Sequence, residues 1–413
     1  MIFYILYIII SKSNSQIKFP FKKQELRISE FYSFYNYLTY NLIYIKLNVG
    51  NPKQEITFYL NLDKHVFYIS GIKGKGTFNE KSSNTFKLKS NESKYLGEGI
   101  DNGIKAEDTI HLNDKIIVKN FPFILANEVS IESNYTLNVI GLKYKLYYSY
   151  LKEENFLHYL IKEKIISSSV FTIKYLNEKE GEFIIGGYPH EYDNQYKENN
   201  FKFTKAKVQG DYFSWEIEFD KILYDNIELQ EMKLSIFTIN FNGFIVTEDF
   251  QKILNESFFN QYFNNKKCIY ERKNNIQYSS YICDNVIEIK KFKTISFYHK
   301  PLNMSFYFEY FDLFKLIDNK YYFLVLFTSN KNAFWTLGEP FLKKYQMVFA
   351  QDDKIFGFYK ENNLNYEFIP FIIVFLLLFI LIFLLLFFKK ILFIKKRKSR
   401  INEIQENIEY NVF

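Results

Sequence analysis

Cysteine is almost absent: the 413 residues hold only Cys268 and Cys283. Two thiols and five scattered histidines offer no ligand spacing, so no metal site is expected and no cofactor is implied. The even pair fits one disulfide in an oxidising compartment, with a free or reactive pair as the alternative. Glycine and proline are scarce too, 15 and 7 residues against 47 Phe and 35 Tyr. Large rings with few chain breakers favour strands. Phe, Tyr, Ile, Asn and Lys rise together as AT-rich coding would make them, however, so composition carries only part of that inference. No Gly-x-Ser-x-Gly elbow is present to seat a Ser-His-Asp arrangement.

The net charge of +7 is not spread over the chain, because Lys389, Lys390, Lys395, Lys396, Arg397, Lys398 and Arg400 crowd one short segment. The remainder is nearly balanced and lacks an aromatic-studded basic stripe, which argues against a nucleic-acid partner. Directly before that cluster, residues 368–388 are almost purely apolar. At 1.5 Å per residue this run matches a hydrocarbon core roughly 30 Å thick, so a transmembrane helix is expected. The basic cluster then reads as the cytoplasmic flank of a single-pass type I protein, with binding of anionic headgroups as an alternative role. Residues 2–10 form an apolar run too short to span and followed by polar residues, as in a signal peptide, which assigns residues 1–15 to a leader. The chain should therefore belong to the secretory pathway or cell surface. On the expected lumenal side, Asn91, Asn134, Asn255 and Asn303 each open an Asn-x-Ser/Thr triplet, so some should carry glycan.

From residue 40 to 359 short β-like runs alternate with turn signals. Strands are expected over 42–47, 56–60, 183–185, 215–219 and 346–349. Apolar residues at helical spacing mark only 153–164 and 249–258, the latter with Glu248 and Asp249 at its start. No internal repeat stands out.

Residues 44–70 read YIKLNVGNPKQEITFYLNLDKHVFYIS, in which Gly50, Pro52 and Gln54 form a Gly-x-Pro-x-Gln turn between two strand-like runs. GTFNEKSSNTF (76–86), YLGEGIDNGIKAED (95–108), VIGL (139–142), VFTIKYLNEKEGEFIIGG (170–187), YFSWEI (212–217) and FWTLGEPFLKKYQMVFAQDDKIFGF (334–358) follow in order. This succession resembles the pepsin-like aspartic proteases across nearly the whole lumenal part, most specifically in the last segment. The resemblance implies an all-β, bilobal fold with a peptide-sized cleft between the lobes, beside the one C-terminal transmembrane helix. It makes Tyr95 the tyrosine of the hairpin that covers the cleft. Cys268 and Cys283 fall where the family's C-terminal lobe carries a disulfide. The implied division is an N-terminal segment at 16–39, lobes at 40–205 and 206–361, a stalk at 362–367, the membrane helix at 368–388 and a tail at 389–413.

The chain departs from the family at its chemistry. Counted without a gap from Gln54, the first aspartate position falls on Asn61; aligned through Val246, Glu248 and Asp249, the second falls on Thr238. Pepsin-type hydrolysis needs two carboxylates close enough to share a proton, one acting as base toward water and the other as acid toward the carbonyl. An amide can orient water without accepting its proton, and a threonine hydroxyl does not ionise near neutral pH. A shift of two residues would bring Asp63 into register with the same facing, but Lys64 and His65 then stand where a Gly is needed. No Asp or Glu occurs from 235 to 247, so no shift supplies the second acid. These residues predict a membrane-tethered pseudoprotease holding a peptide or protein ligand in the cleft. Two other readings stay open: an active aspartic endopeptidase with an unorthodox acid pair, to which Asp63 or an acid from outside the standard loops contributes, and a structural or adhesive glycoprotein.

Overall fold

The computed structural model describes residues 16–359 outside 25–30, 40, 73–75, 91–99, 130–137, 144–154, 207, 210–211, 214, 230–233, 273–277 and 331–333, together with 378–380, 382–398 and 400. The chain divides into a unit ending at Tyr359 and a second covering 360–413. The first is mostly β, with a thirteen-stranded sheet, a nine-stranded sheet, a four-stranded sheet and a small two-stranded one.

Alternation of apolar and polar residues creates the strands where expected. Ile43–Val49 and Gln54–Asn61 each bury every second side chain and pair as an antiparallel hairpin. Gln54 fixes the turn's surroundings, since its amide donates to the Asn79 carbonyl and accepts from the Asn79 N–H at 3.0 and 2.8 Å. Strand Glu180–Ile185 contains the expected 183–185, and Glu216–Glu218 lies inside 215–219. Residues 346–349 begin differently: Gln346 takes a left-handed conformation (φ 43°) that caps helix Glu339–Tyr345, and the strand starts at Val348. Of the expected helices, Phe156–Lys162 forms with Asn155 as its N-cap, and Glu248–Leu254 runs on through a π-helical turn at Asn255–Phe259.

Two elements arise in the N-terminal segment, where no strand or helix is expected. Strand Ile17–Lys23 is inserted between Glu180–Ile185 and Ile43–Val49 in the largest sheet, and helix Phe31–Thr39 follows it. Ile17, Phe19 and Phe21 are buried in the main core.

One strand path occurs twice. In the first half, Ile43–Val49, Gln54–Asn61, Val139–Gly141, Phe67–Ser70 and Ile117–Val129 lie side by side with antiparallel, parallel, antiparallel and parallel pairings. In the second half, Glu216–Glu218, Leu234–Phe237, Trp335–Leu337, Phe244–Thr247 and Val325–Thr328 repeat that order and those senses. The repeat is one of topology rather than of sequence. The shared core joins the halves through rings, with Phe171 of the first packed against Trp215 and Phe349 of the second.

Cys268 and Cys283 stand directly opposite each other on antiparallel strands and form the disulfide. Farther along, Ile295–His299 and Met304–Phe308 make a hairpin whose tip, Lys300–Leu302, ends at the left-handed Asn303. His299 is buried there, and its Nδ1 accepts from the Leu302 N–H at 3.3 Å. Burial lowers its pKa below the usual value, with Asp220 opposing. The unfolded chain therefore binds this proton first, so stability is fully present above about pH 6.5 and falls on acidification toward the folded-state pKa. Thermal unfolding from pH 7.5 to 5 should show a downward slope that flattens in His299→Gln.

Of the expected membrane span, residues 368–377 and 381 lie outside the described residues, as do the leader and the stalk. Among the described residues no helix is long and apolar enough to cross a bilayer. Those at 378–380 and 382–398 are helical, and Phe379, Phe383, Leu385 and Phe393 are exposed.

Candidate active site

The duplicated path places two loops at matching positions, 62–66 after strand Gln54–Asn61 and 238–243 after strand Leu234–Phe237. Each runs beside a three-residue strand followed or closed by glycine. Asn61 is opposite Gly141, and Phe237 is opposite Leu337, which sets Thr238 beside Gly338. The supporting hydrogen bonds repeat as well: Gly141 N–H donates to Val66 O at 3.1 Å and Gly338 N–H to Gly243 O at 3.0 Å.

Glycine is required at both places. A Cβ on Gly141 would lie 2.5 Å from the His65 carbonyl carbon and 2.7 Å from Val66 N; on Gly338 it would lie 2.2 Å from Phe241 O and 2.5 Å from Gly243 O. The obstacles are backbone atoms, so the loops themselves would have to move. Gly338→Ala and Gly141→Ala are each expected to destabilise the protein by about 1–3 kcal/mol in denaturant unfolding.

The two side chains facing these glycines have neutral termini and perform the same local task. Asn61 Oδ1 accepts from the N–H groups of Asp63 and Lys64 at 2.7 and 3.0 Å; Thr238 Oγ1 accepts from Asn240 N–H at 3.2 Å. Each therefore accepts from the residue two positions on, and shapes its loop without carrying charge. The residues between, Leu62 and Ile239, are apolar and buried.

Asp63 supplies what the matched positions lack. Its side chain crosses from the first loop to the second, where Thr238 Oγ1 donates to Asp63 Oδ2 at 3.2 Å. Asp63 is exposed and Thr238 buried, and one carboxylate and one hydroxyl meet at the junction of the loops. This is one ionisable acid where a shared-proton mechanism needs two. Sequence reasoning singled out Asp63 but not its link to Thr238, which depends on the meeting of residues 175 positions apart.

Both loops are braced from behind. Asn155 donates through Nδ2 to His65 O at 2.9 Å, and Lys143 N–H donates to Lys64 O at 2.8 Å. The second loop is held by the N-terminal elements. Asn41 donates from its backbone to Asn240 O at 3.0 Å, and from Nδ2 to Ile239 O at 2.9 Å and Glu339 Oε2 at 2.8 Å. Asn242 N–H donates to Leu38 O at 2.8 Å, and Asn242 Nδ2 donates to Tyr37 O. Lys23 pairs with Glu339 at 2.5 Å. Burial, with Glu339 nearby, pushes the Tyr175 hydroxyl well above its ordinary pKa. None of these braces was visible in the pattern of residues 16–41.

Tyr95 lies outside the described residues, as do 96–99 of the segment 95–108 assigned to the covering hairpin. The described part, strand Ile100–His111, pairs with Ile117–Val129 through several register shifts.

A family model described as eukaryotic aspartyl protease matches residues 44–360, about three quarters of the chain and including both loops. No curated protein matches the chain.

Proposed function

We propose that this chain, which belongs to the eukaryotic aspartyl protease family, is a catalytically silent member, anchored in a secretory or surface membrane, that binds peptides in the cleft between two lobes. The observation that carries the reading is the matched register of Asn61 and Thr238. The two strands bring these residues to corresponding places, both accept loop N–H groups as loop-shaping side chains, and neither can act as acid or base at the pH of any cellular compartment. The backbone frame of the site persists while its proton chemistry is gone. A cleft of that kind holds an extended peptide by strand pairing beneath the hairpin that contains Tyr95. The apolar run at 368–388, the basic residues after it and the disulfide support the lumenal placement of the β unit.

The Asp63–Thr238 hydrogen bond favours one second reading, in which Asp63 is the working acid of a slow endopeptidase. A quenched peptide library assayed from pH 3 to 7, with and without pepstatin, separates the two. Silence of the wild type, with peptide binding retained in a polarisation assay, is the expected outcome. Pepstatin-sensitive turnover that disappears in Asp63→Ala would replace the silent reading with the second. Turnover gained by the Asn61→Asp, Thr238→Asp double variant would show that only the acids are missing.

A further inference from the structure

Two of the four Asn-x-Ser/Thr triplets lie among the described residues, and their surroundings differ. Asn255 sits inside a helical stretch, in the π-helical turn Asn255–Phe259, with φ −59° and ψ −55°. Residues i and i+2 of a helix do not face each other, so Ser257 points away from the Asn255 amide. That amide is also turned inward, because Asn255 Oδ1 accepts from the hydroxyl of the buried Tyr281. Asn303 is the opposite case. It is exposed at a hairpin tip, takes the left-handed conformation at φ 45°, and leads into the extended strand Met304–Phe308 that carries Ser305. Ser305 lies in extended backbone directly after the turn, so the Asn303–Ser305 triplet is not wound into a helix as Asn255–Ser257 is.

A second observation gives this position a role. Strand Phe201–Lys205 ends the thirteen-stranded sheet: it pairs with Ile355–Tyr359 on one side, and no described strand pairs with its other side. Phe203 on it is 53% exposed. An open edge with an exposed aromatic ring is a template for pairing with another chain. The tip Lys300–Leu302, one residue before Asn303, packs beside this strand.

We propose that Asn303 carries an N-linked oligosaccharide and that this glycan screens the Phe201–Lys205 edge, whereas Asn255 stays unmodified. The inference rests on the lumenal placement of the β unit. The donor is a polyprenyl-diphosphate-linked oligosaccharide. The bond from Asn303 Nδ2 to C1 of the first sugar forms, the bond from C1 to the diphosphate oxygen breaks, polyprenyl diphosphate leaves, and one Nδ2 proton passes to a base of the transferase. A glycan added there meets solvent, and folding proceeds around it. One at Asn255 would compete with the Tyr281 hydrogen bond.

The test uses the full chain made in a eukaryotic secretory host, solubilised in detergent and treated with peptide N-glycosidase in heavy-oxygen water before mass spectrometry. Label is expected at 303 and not at 255. Ser305→Ala, which keeps Asn303 and its turn but destroys the acceptor triplet, should lose one glycan and show a several-fold rise in dimers and larger species by light scattering. Phe203→Lys in the same background should reverse that rise. Label at Asn91 or Asn134 with none at 303 would overturn the site while leaving the lumenal placement intact; no label at any of the four would overturn both. A Ser305→Ala protein that has lost its glycan yet stays as monodisperse as wild type would overturn the screening role.

Discussion

Phe21→Ala should cost about 3–5 kcal/mol of unfolding free energy, and deletion of residues 16–23 should leave the β unit unable to fold. Strand Ile17–Lys23 is no terminal arm. It lies between two other strands of the largest sheet, paired from Ile17↔Ile185 to Lys22↔Glu180 on one side and at Lys22↔Tyr44 and Lys23↔Ile43 on the other. Its inward residues Ile17, Phe19 and Phe21 are 1–3% exposed. At roughly 1.5–3 kcal/mol for each buried large side chain, the three together approach the whole net stability of a typical domain. Phe21 is the most demanding of them. It meets Tyr175 edge-on at 5.5 Å, and Gly181 faces it so closely that a Cβ there would lie 2.4 Å from the Phe21 ring. No neighbour can grow into the space left by truncation without displacing that strand. Urea unfolding of a soluble fragment spanning residues 16–365 measures the effect. A loss below about 1 kcal/mol would mean that the strand is dispensable.

That strand also shows what could and could not be read from the chain. The strands flanking the loops were legible because alternation and turn residues act locally: Gly50, Pro52 and Gln54 announced a hairpin, and that hairpin is present. Residues 17–23 alternate as well, burying every second residue, but IKFPFKK contains a proline and three lysines and resembles a polar linker. Only its insertion between distant strands makes it core. Similarly, Asn61 and Thr238 were placed by counting along short motifs, whereas their correspondence in register depends on two parallel pairings between segments about eighty to a hundred residues apart. The Asp63–Thr238 hydrogen bond and the bracing of the second loop by Asn41 depend on longer separations still. Local chemistry identifies the residues of a site; long-range pairing decides which of them meet.

The second loop has a structural duty to which one buried ion pair is central. Lys23 and Glu339 meet at 2.5 Å with side chains only 9% and 10% exposed, and the same Glu339 oxygen accepts from Asn41 Nδ2 at 2.8 Å. Asn41 in turn donates to Ile239 O and Asn240 O, so the pair is tied to the loop that carries Thr238. Removing one charge leaves the other with a side chain only about a tenth exposed and without its counterion. Lys23→Met is therefore expected to destabilise the protein by about 3–5 kcal/mol. Adding Glu339→Leu to Lys23→Met should recover much of that loss, since the double variant contains no stranded carboxylate. Glu339→Leu also removes the Asn41 bond to Glu339, so peptide affinity should be weakened in the double variant even where stability returns. Unfolding curves for the two single variants and the pair give the coupling energy, and polarisation with a bound peptide reports on the loop. A Lys23→Met protein within about 0.5 kcal/mol of wild type would show that the pair is solvated and that the loop is held by backbone hydrogen bonds alone.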